Sequence, residues 1–110
     1  MTTVPEPTVR VTRYEVSCLP QDNINAHHYT ITVEWRGDDR WAVLRHGFCL
    51  CADGEWDYEP RQSSREDDWL ETHRFDLDTA LILAKREAPK LTINGLTAAD
   101  VLARTGVSDG

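Results

Sequence analysis

Residues 29–43, YTITVEWRGDDRWAV, decide the fold because they carry the clearest hydrophobic alternation in the chain. The apolar residues of the first seven positions alternate strictly with threonine and glutamate, which is typical of a strand with one buried and one wet face. The Gly-Asp-Asp triplet that follows predicts a three-residue hairpin loop. In that register Trp35 lies opposite Trp41 and Val33 lies opposite Val43, so large apolar side chains pair across the two strands.

The flanking segments predict further strands. Residues 9–19 are rich in β-branched side chains and predict a strand that stops at Pro20, before a polar loop at 20–27. Residues 41–51 predict another strand with a bulge or bend at Gly47, and the Asp-Gly pair that follows it suits a type I′ turn. In that second hairpin Cys51 lies opposite Trp56, and four side chains share one face: Cys49, Cys51, Trp56 and Tyr58.

Capping signals mark the helices that follow the strands. Ser63 and Glu66 form a capping-box pattern, which predicts a short helix over about residues 64–72. Asp76 begins a longer helix with apolar residues at helical spacing, and Pro89 ends it.

The last part of the chain predicts a short strand, a turn and a final helix. Thr97 and Asp100 begin that helix with a second capping-box pattern, and we expect it to end at Gly106. Because the strands precede the helices, the order predicts an α+β fold. We expect a curved antiparallel sheet of about four strands followed by two or three helices packed on one face.

The composition fits one acidic globular domain. The chain has 110 residues with 19 acidic and 12 basic side chains, a formal net charge of −7, and 40% hydrophobic residues. This apolar content is too high for a disordered chain. We assign residues 9–106 to the domain, 1–8 to a flexible lead and 107–110 to a tail.

The sequence also argues against several classes of protein. No apolar run approaches the ~20 residues of a membrane span, and the first residues lack the basic start and apolar core of a secretory signal. The three cysteines are an odd number, unlike a secreted disulfide framework. We therefore expect a cytoplasmic protein, with no cofactor because no cofactor-binding motif is present. The acidity argues against direct binding of duplex DNA.

The net charge lies in one quarter of the chain. Residues 53–78 hold ten acidic and three basic side chains, a net charge of −7, and the rest of the chain sums to zero. Dense charge of one sign favours an oppositely charged partner. Our first hypothesis is a non-enzymatic protein-binding module whose acidic segment binds a basic surface, such as that of a nucleic-acid-binding protein; the alternative is a solvated face with no partner. The candidate contact residues are Glu55, Trp56, Asp57, Glu66, Asp67, Asp68, Trp69 and Glu71. Trp69 is the best candidate for an exposed anchor.

Two other hypotheses stay open. The first is a metal-dependent enzyme or zinc site that uses His46, Cys49, Cys51 or the carboxylates of the acidic segment. C-x-C is not the usual zinc spacing, and buried packing of the two cysteines explains them more simply. The second is a homo-oligomerising structural domain, in which the edge strand at 9–19 or the tryptophan-rich face pairs with a second copy.

Four segments together resemble a group of small uncharacterised proteins of actinobacteria and their phages. They are YEVSCLP at 14–20, RWAV at 40–43, DGEWDYEP at 53–60 and HRFDLDTAL at 73–81. The resemblance implies an actinobacterial or phage origin and a cytoplasmic setting, and it implies no activity.

Overall fold

The computed structural model describes residues 3–58 and 67–108, and it confirms the α+β class. Five strands form one open antiparallel sheet in chain order, with β1 and β5 at its edges. These strands are β1 Arg13–Ser17, β2 Thr30–Trp35, β3 Trp41–Arg45, β4 Phe48–Leu50 and β5 Trp56–Tyr58. The elements after the sheet are α1 Asp67–His73, α2 Leu77–Glu87, β6 Thr92–Ile93, β7 Leu96–Thr97 and α3 Ala98–Ser108.

The hairpin of β2 and β3 has the predicted register. Trp35 lies opposite Trp41 and Val33 lies opposite Val43. The Arg36 amide donates to the Arg40 carbonyl at 2.8 Å, which closes the three-residue loop. The alternation of apolar residues therefore predicted both the strand and its pairing.

The segment predicted as one strand over 41–51 is two strands. His46 and Gly47 form a tight turn with φ of 51° and 82°, so the chain reverses there and Arg45 lies opposite Phe48. Positive φ at both central residues is the geometry of a type I′ turn, whose twist suits a hairpin. Gly47 therefore marks a full reversal rather than a bulge, and the sheet gains a fifth strand.

The predicted register of the next hairpin is wrong by one residue. Leu50 lies opposite Trp56 and Cys49 lies opposite Asp57, whereas we expected Cys51 opposite Trp56. The loop has three residues, because the Cys51 amide donates to the Glu55 carbonyl at 2.8 Å. A slip of one residue moves every side chain of a strand to the other face. Asp57 therefore lies on the side of Cys49 and Cys51, and Trp56 and Tyr58 lie on the other.

The main core lies between the sheet and α2. The helix packs against β1, β2 and β3, where Ile31, Val33 and Val43 are fully buried. Ala80 and Ala84 are also fully buried, and such small side chains let a helix approach a sheet closely. Asp76 caps α2 as predicted, because its side chain accepts a hydrogen bond from the Thr79 amide.

The predicted cap of α3 is also present. The Thr97 amide donates to the Asp100 carboxylate at 2.9 Å, and the Asp100 amide donates to the Thr97 hydroxyl at 3.2 Å. The helix continues two residues past Gly106, where we expected it to end. The expected cap of α1 at Ser63 and Glu66 lies outside the described residues. Within the described ranges, no helix is both long and apolar enough to cross a membrane.

We predict that Leu50→Ala lowers the free energy of unfolding by about 2–5 kcal/mol, because a fully buried leucine would leave a cavity. Urea unfolding followed by circular dichroism measures this loss. The matched control is Ile82→Ala on α2, where the side chain is 64% exposed, and its effect should stay within about 0.5 kcal/mol. Equal losses at the two positions would contradict the described core.

We also predict a loss of stability at low pH through the two helix caps. Hydrogen bonds from Thr79 lower the pKa of Asp76, and those from Thr97 lower the pKa of Asp100. A carboxylate with a lowered folded pKa stabilises the fold above about pH 4, and this contribution is lost as the pH falls through the folded pKa. The double variant Asp76→Ala/Asp100→Ala should melt several degrees lower at pH 7 than the wild type, and this difference should shrink towards pH 2. A difference in melting temperature that is independent of pH would contradict the prediction. Asp22→Ala, which removes an exposed carboxylate outside α2 and α3, is the control.

Candidate functional site

The end of α1 and the residues after it are hydrogen-bonded to two parts of the sheet. Trp41 and Phe75 exchange backbone hydrogen bonds of 2.7 and 3.0 Å, and the Ala52 amide donates to the Thr72 carbonyl at 2.8 Å. Residues 72–75 therefore lie against the start of β3 and the loop that follows β4. The two residues in the middle of this segment, His73 and Arg74, are only 4% and 6% exposed.

The His73 ring is held from both nitrogens. Nδ1 lies 2.7 Å from the Trp69 carbonyl oxygen, and Nε2 lies 2.8 Å from an Asp57 carboxylate oxygen. A carbonyl oxygen only accepts hydrogen bonds, so Nδ1 carries a proton and donates to it. The Trp69 ring stacks on the imidazole with centroids 4.2 Å apart and planes at 4°. These contacts fix the ring with Nε2 directed at β5.

Cys51 lies beside this pair. Its Sγ, a carboxylate oxygen of Asp57 and a ring nitrogen of His73 all lie within 4.8 Å of one another. Cys51 and His73 are buried, whereas the Asp57 side chain keeps 51% of its surface exposed. The group therefore opens to solvent on the side of Asp57. We call these three residues the Cys-Asp-His cluster.

A second carboxylate lies next to the cluster. The pKa of Asp53 is lowered, first by the Glu55 amide, then by the Cys51 thiol, which both donate to its side chain, and further by the nearby His73. The hydrogen bond from the Glu55 amide is 2.9 Å long. Asp53 therefore remains an anion beside the sulfur of Cys51.

Cys49 belongs to a neighbouring arrangement. Its thiol lies 3.5 Å from Arg74 Nη1 and 3.7 Å from the His73 carbonyl oxygen. Arg74 also donates to that carbonyl at 2.9 Å, and its guanidinium lies 5.0 Å from the centre of the Trp69 ring. Cys49 and Arg74 thus pack behind the His73 backbone, while Cys51 lies on the side of the imidazole.

The structure describes seven of the eight predicted partner-contact residues; Glu66 lies outside the described ranges. Trp56 and Trp69 are half-buried, and Trp69 stacks on His73 where we expected an exposed anchor. Five acidic side chains are exposed: Glu55, Asp57, Asp67, Asp68 and Glu71. We call these five residues the acidic face.

Only one of the three predicted Cys and His metal candidates belongs to the Cys-Asp-His cluster. His46 is exposed in the turn between β3 and β4, and Cys49 contacts Arg74; Cys51 alone joins the cluster. Sequence reasoning missed His73, because one histidine ahead of a helix cap carries no periodic signal. It missed the role of Asp57 because the predicted register placed Trp56 beside Cys51.

No protein-family model, curated protein or solved structure matches this chain. The resemblance to actinobacterial and phage proteins therefore stays a prediction.

We predict that brief alkylation with iodoacetamide under native conditions modifies one cysteine first. Cys18 is exposed, whereas Cys49 is fully buried and Cys51 is 8% exposed, so Cys18 should react at least about tenfold faster. Peptide mass spectrometry locates the adduct, and the Cys18→Ser variant should show almost no early labelling. Rapid labelling of Cys51 in that variant would contradict its buried position.

Proposed function

We propose that the protein is a non-enzymatic binding module that docks on a basic protein surface through the acidic face. The observation that carries this proposal is that all five described acidic residues of the predicted contact set are exposed, one in the loop before β5, one on β5 and three on α1. Dense charge of one sign steers a cationic partner and raises the rate of association. A nucleic-acid-binding protein presents such a cationic surface.

Both β5 and the loop before it are joined to α1 by hydrogen bonds. Asp57 on β5 is hydrogen-bonded to His73 at the end of α1, with 2.8 Å between the two atoms. The loop that carries Glu55 is joined to α1 through the hydrogen bond between Ala52 and Thr72. Charges that are held in a fixed arrangement lose less conformational entropy on binding than charges on a mobile segment. This favours a surface that is preorganised for a partner.

The acidic residues of α1 also have a simpler explanation. Asp67 and Asp68 lie in the first turn of α1, where negative side chains interact favourably with the helix dipole. A solvated helix start and a docking surface make the same contribution to net charge. The two explanations differ in one expected result. If α1 is a docking surface, removing its charges weakens the binding of a cationic partner more than removing the same number of charges elsewhere.

We predict that neutralising α1 weakens binding to a cationic probe more than equal neutralisation elsewhere. The test variant is Asp67→Asn/Asp68→Asn/Glu71→Gln, and the probe is poly-L-lysine titrated by calorimetry over a range of salt concentrations. Loss of three local charges should weaken binding by roughly tenfold and flatten its salt dependence.

The matched control is Asp22→Asn/Asp38→Asn/Asp39→Asn, which removes the same charge from exposed positions outside the acidic face. Its binding should stay close to that of the wild type. If the two triple variants bind poly-L-lysine equally well, the acidic face has no special role and the proposal is wrong.

A further inference from the structure

The Cys-Asp-His cluster brings together three side chains from separate parts of the chain. Cys51 follows β4, Asp57 lies in β5 and His73 ends α1, yet the three ligand atoms lie within 4.8 Å of one another. In a tetrahedral zinc site, bonds of about 2.0–2.3 Å place neighbouring ligand atoms about 3.5 Å apart. His73 Nε2 and the Asp57 oxygen, which are 2.8 Å apart, would therefore have to separate by roughly 0.7 Å, and the distances to the Cys51 sulfur, which are at most 4.8 Å, would have to become about 3.5 Å. The half-exposed Asp57 side chain has room to make most of this movement.

The orientation of His73 matches that of a metal ligand. A histidine that binds a metal through one nitrogen almost always donates its other N–H to a carbonyl or a carboxylate, which fixes the tautomer and the ring. In His73 the Nδ1–H already donates to the Trp69 carbonyl at 2.7 Å. The nitrogen that remains for a metal is Nε2, which lies 2.8 Å from Asp57.

We propose that Cys51 Sγ, an Asp57 carboxylate oxygen and His73 Nε2 bind one zinc-class transition-metal ion. A thiolate, an imidazole and a carboxylate are the three ligand types that Zn²⁺ takes in proteins. Mg²⁺ and Ca²⁺ prefer oxygen ligands only, so the sulfur and nitrogen select against them. This inference goes beyond the acidic face and does not depend on it.

A catalytic relay of cysteine, histidine and aspartate does not fit this geometry. In such a relay one ring nitrogen takes the proton of the nucleophile while the other is held by the carboxylate. Here Asp57 occupies Nε2 and the Trp69 carbonyl occupies Nδ1, so neither nitrogen is left for the thiol. Three ligand atoms that lie within 4.8 Å of one another suit a shared cation instead.

Metal binding at this site releases protons to solvent. The Cys51 thiol loses its S–H proton to become a thiolate, and Nε2 binds the ion only without a proton, so that its lone pair faces the metal. Affinity should therefore fall as the pH is lowered, because protons compete for the same ligand atoms. A divalent ion with one thiolate and one carboxylate forms a site with no net charge, which suits a half-buried position.

Among the described residues the site offers three ligands, so a tetrahedral ion would take its fourth ligand from elsewhere, either water or a donor from a partner. Solvent reaches the site at Asp57, whose side chain is 51% exposed. The ion would tie β5, the end of β4 and α1 together.

The experiment is a titration of the reduced full-length chain with Co²⁺ and with Zn²⁺. Co²⁺ should bind at one ion per chain, with a thiolate-to-cobalt charge-transfer band and the visible bands of tetrahedral cobalt, and Zn²⁺ should displace it. Cys51→Ser should abolish the charge-transfer band. Cys18→Ser, which removes the exposed thiol, should leave the band unchanged. A band that persists in Cys51→Ser, or no cobalt binding by the wild type, would overturn the proposal.

The exposed ligand gives a second variant that does not depend on the buried ones. Asp57→Asn should retain the circular dichroism spectrum and weaken zinc binding by at least about tenfold, since loss of even an outer-shell partner costs about 10–100-fold. Asp67→Asn is the matched control and should bind zinc like the wild type. Equal affinity of these two variants would remove Asp57 from the site. The poly-L-lysine test changes none of the three ligands, so the two proposals fail independently.

Discussion

A single glycine in the loop between β4 and β5 sets the arrangement on which the site depends. Gly54 adopts a φ of 93°, and Glu55 then pairs with Cys51 to close a loop of three residues. This register lays Asp57 opposite Cys49 and on the same face as Cys51. A loop shorter by one residue would turn Asp57 to the opposite face and bring Trp56 beside the thiol.

The second half of the site depends on the backbone of residues 72–75. This segment bonds to β3 through Trp41 and to the loop after β4 through Ala52, and it then leads through the Asp76 cap into α2. The segment that contains the buried His73 therefore also positions α2 against the main core. Because buried polar groups are costly unless they are paired, the bonds from His73 to Asp57 and to the Trp69 carbonyl are part of what permits this path.

Local signals predicted much of the fold. The alternation up to Trp35 predicted the first hairpin with its register, and the Asp76 and Thr97 caps predicted two helices, because each of these features depends on residues close in sequence. The turn at His46 was missed because it requires a non-glycine residue at positive φ. The register of Asp57 was missed because an Asp-Gly pair serves both in two-residue loops and, with glycine in the last position, in three-residue loops.

The candidate site was harder to predict than the fold because its members come from distant parts of the chain. Cys51 and His73 lie close together because of backbone hydrogen bonds, such as that between Ala52 and Thr72, which no sequence pattern predicts. Asp57 belongs both to the acidic face and to the Cys-Asp-His cluster. A bound ion would therefore neutralise part of the charge of the acidic face. The exposed acidic residues of α1 would remain available to a cationic partner in either state.

X-ray absorption at the zinc edge of the zinc-loaded 110-residue chain distinguishes the proposed ligand set from others. We expect one sulfur at about 2.3 Å together with nitrogen and oxygen ligands at about 2.0–2.2 Å, including the outer-shell signal of one imidazole. A first shell that contains no sulfur would contradict this ligand set, and so would a shell of two or more sulfur atoms.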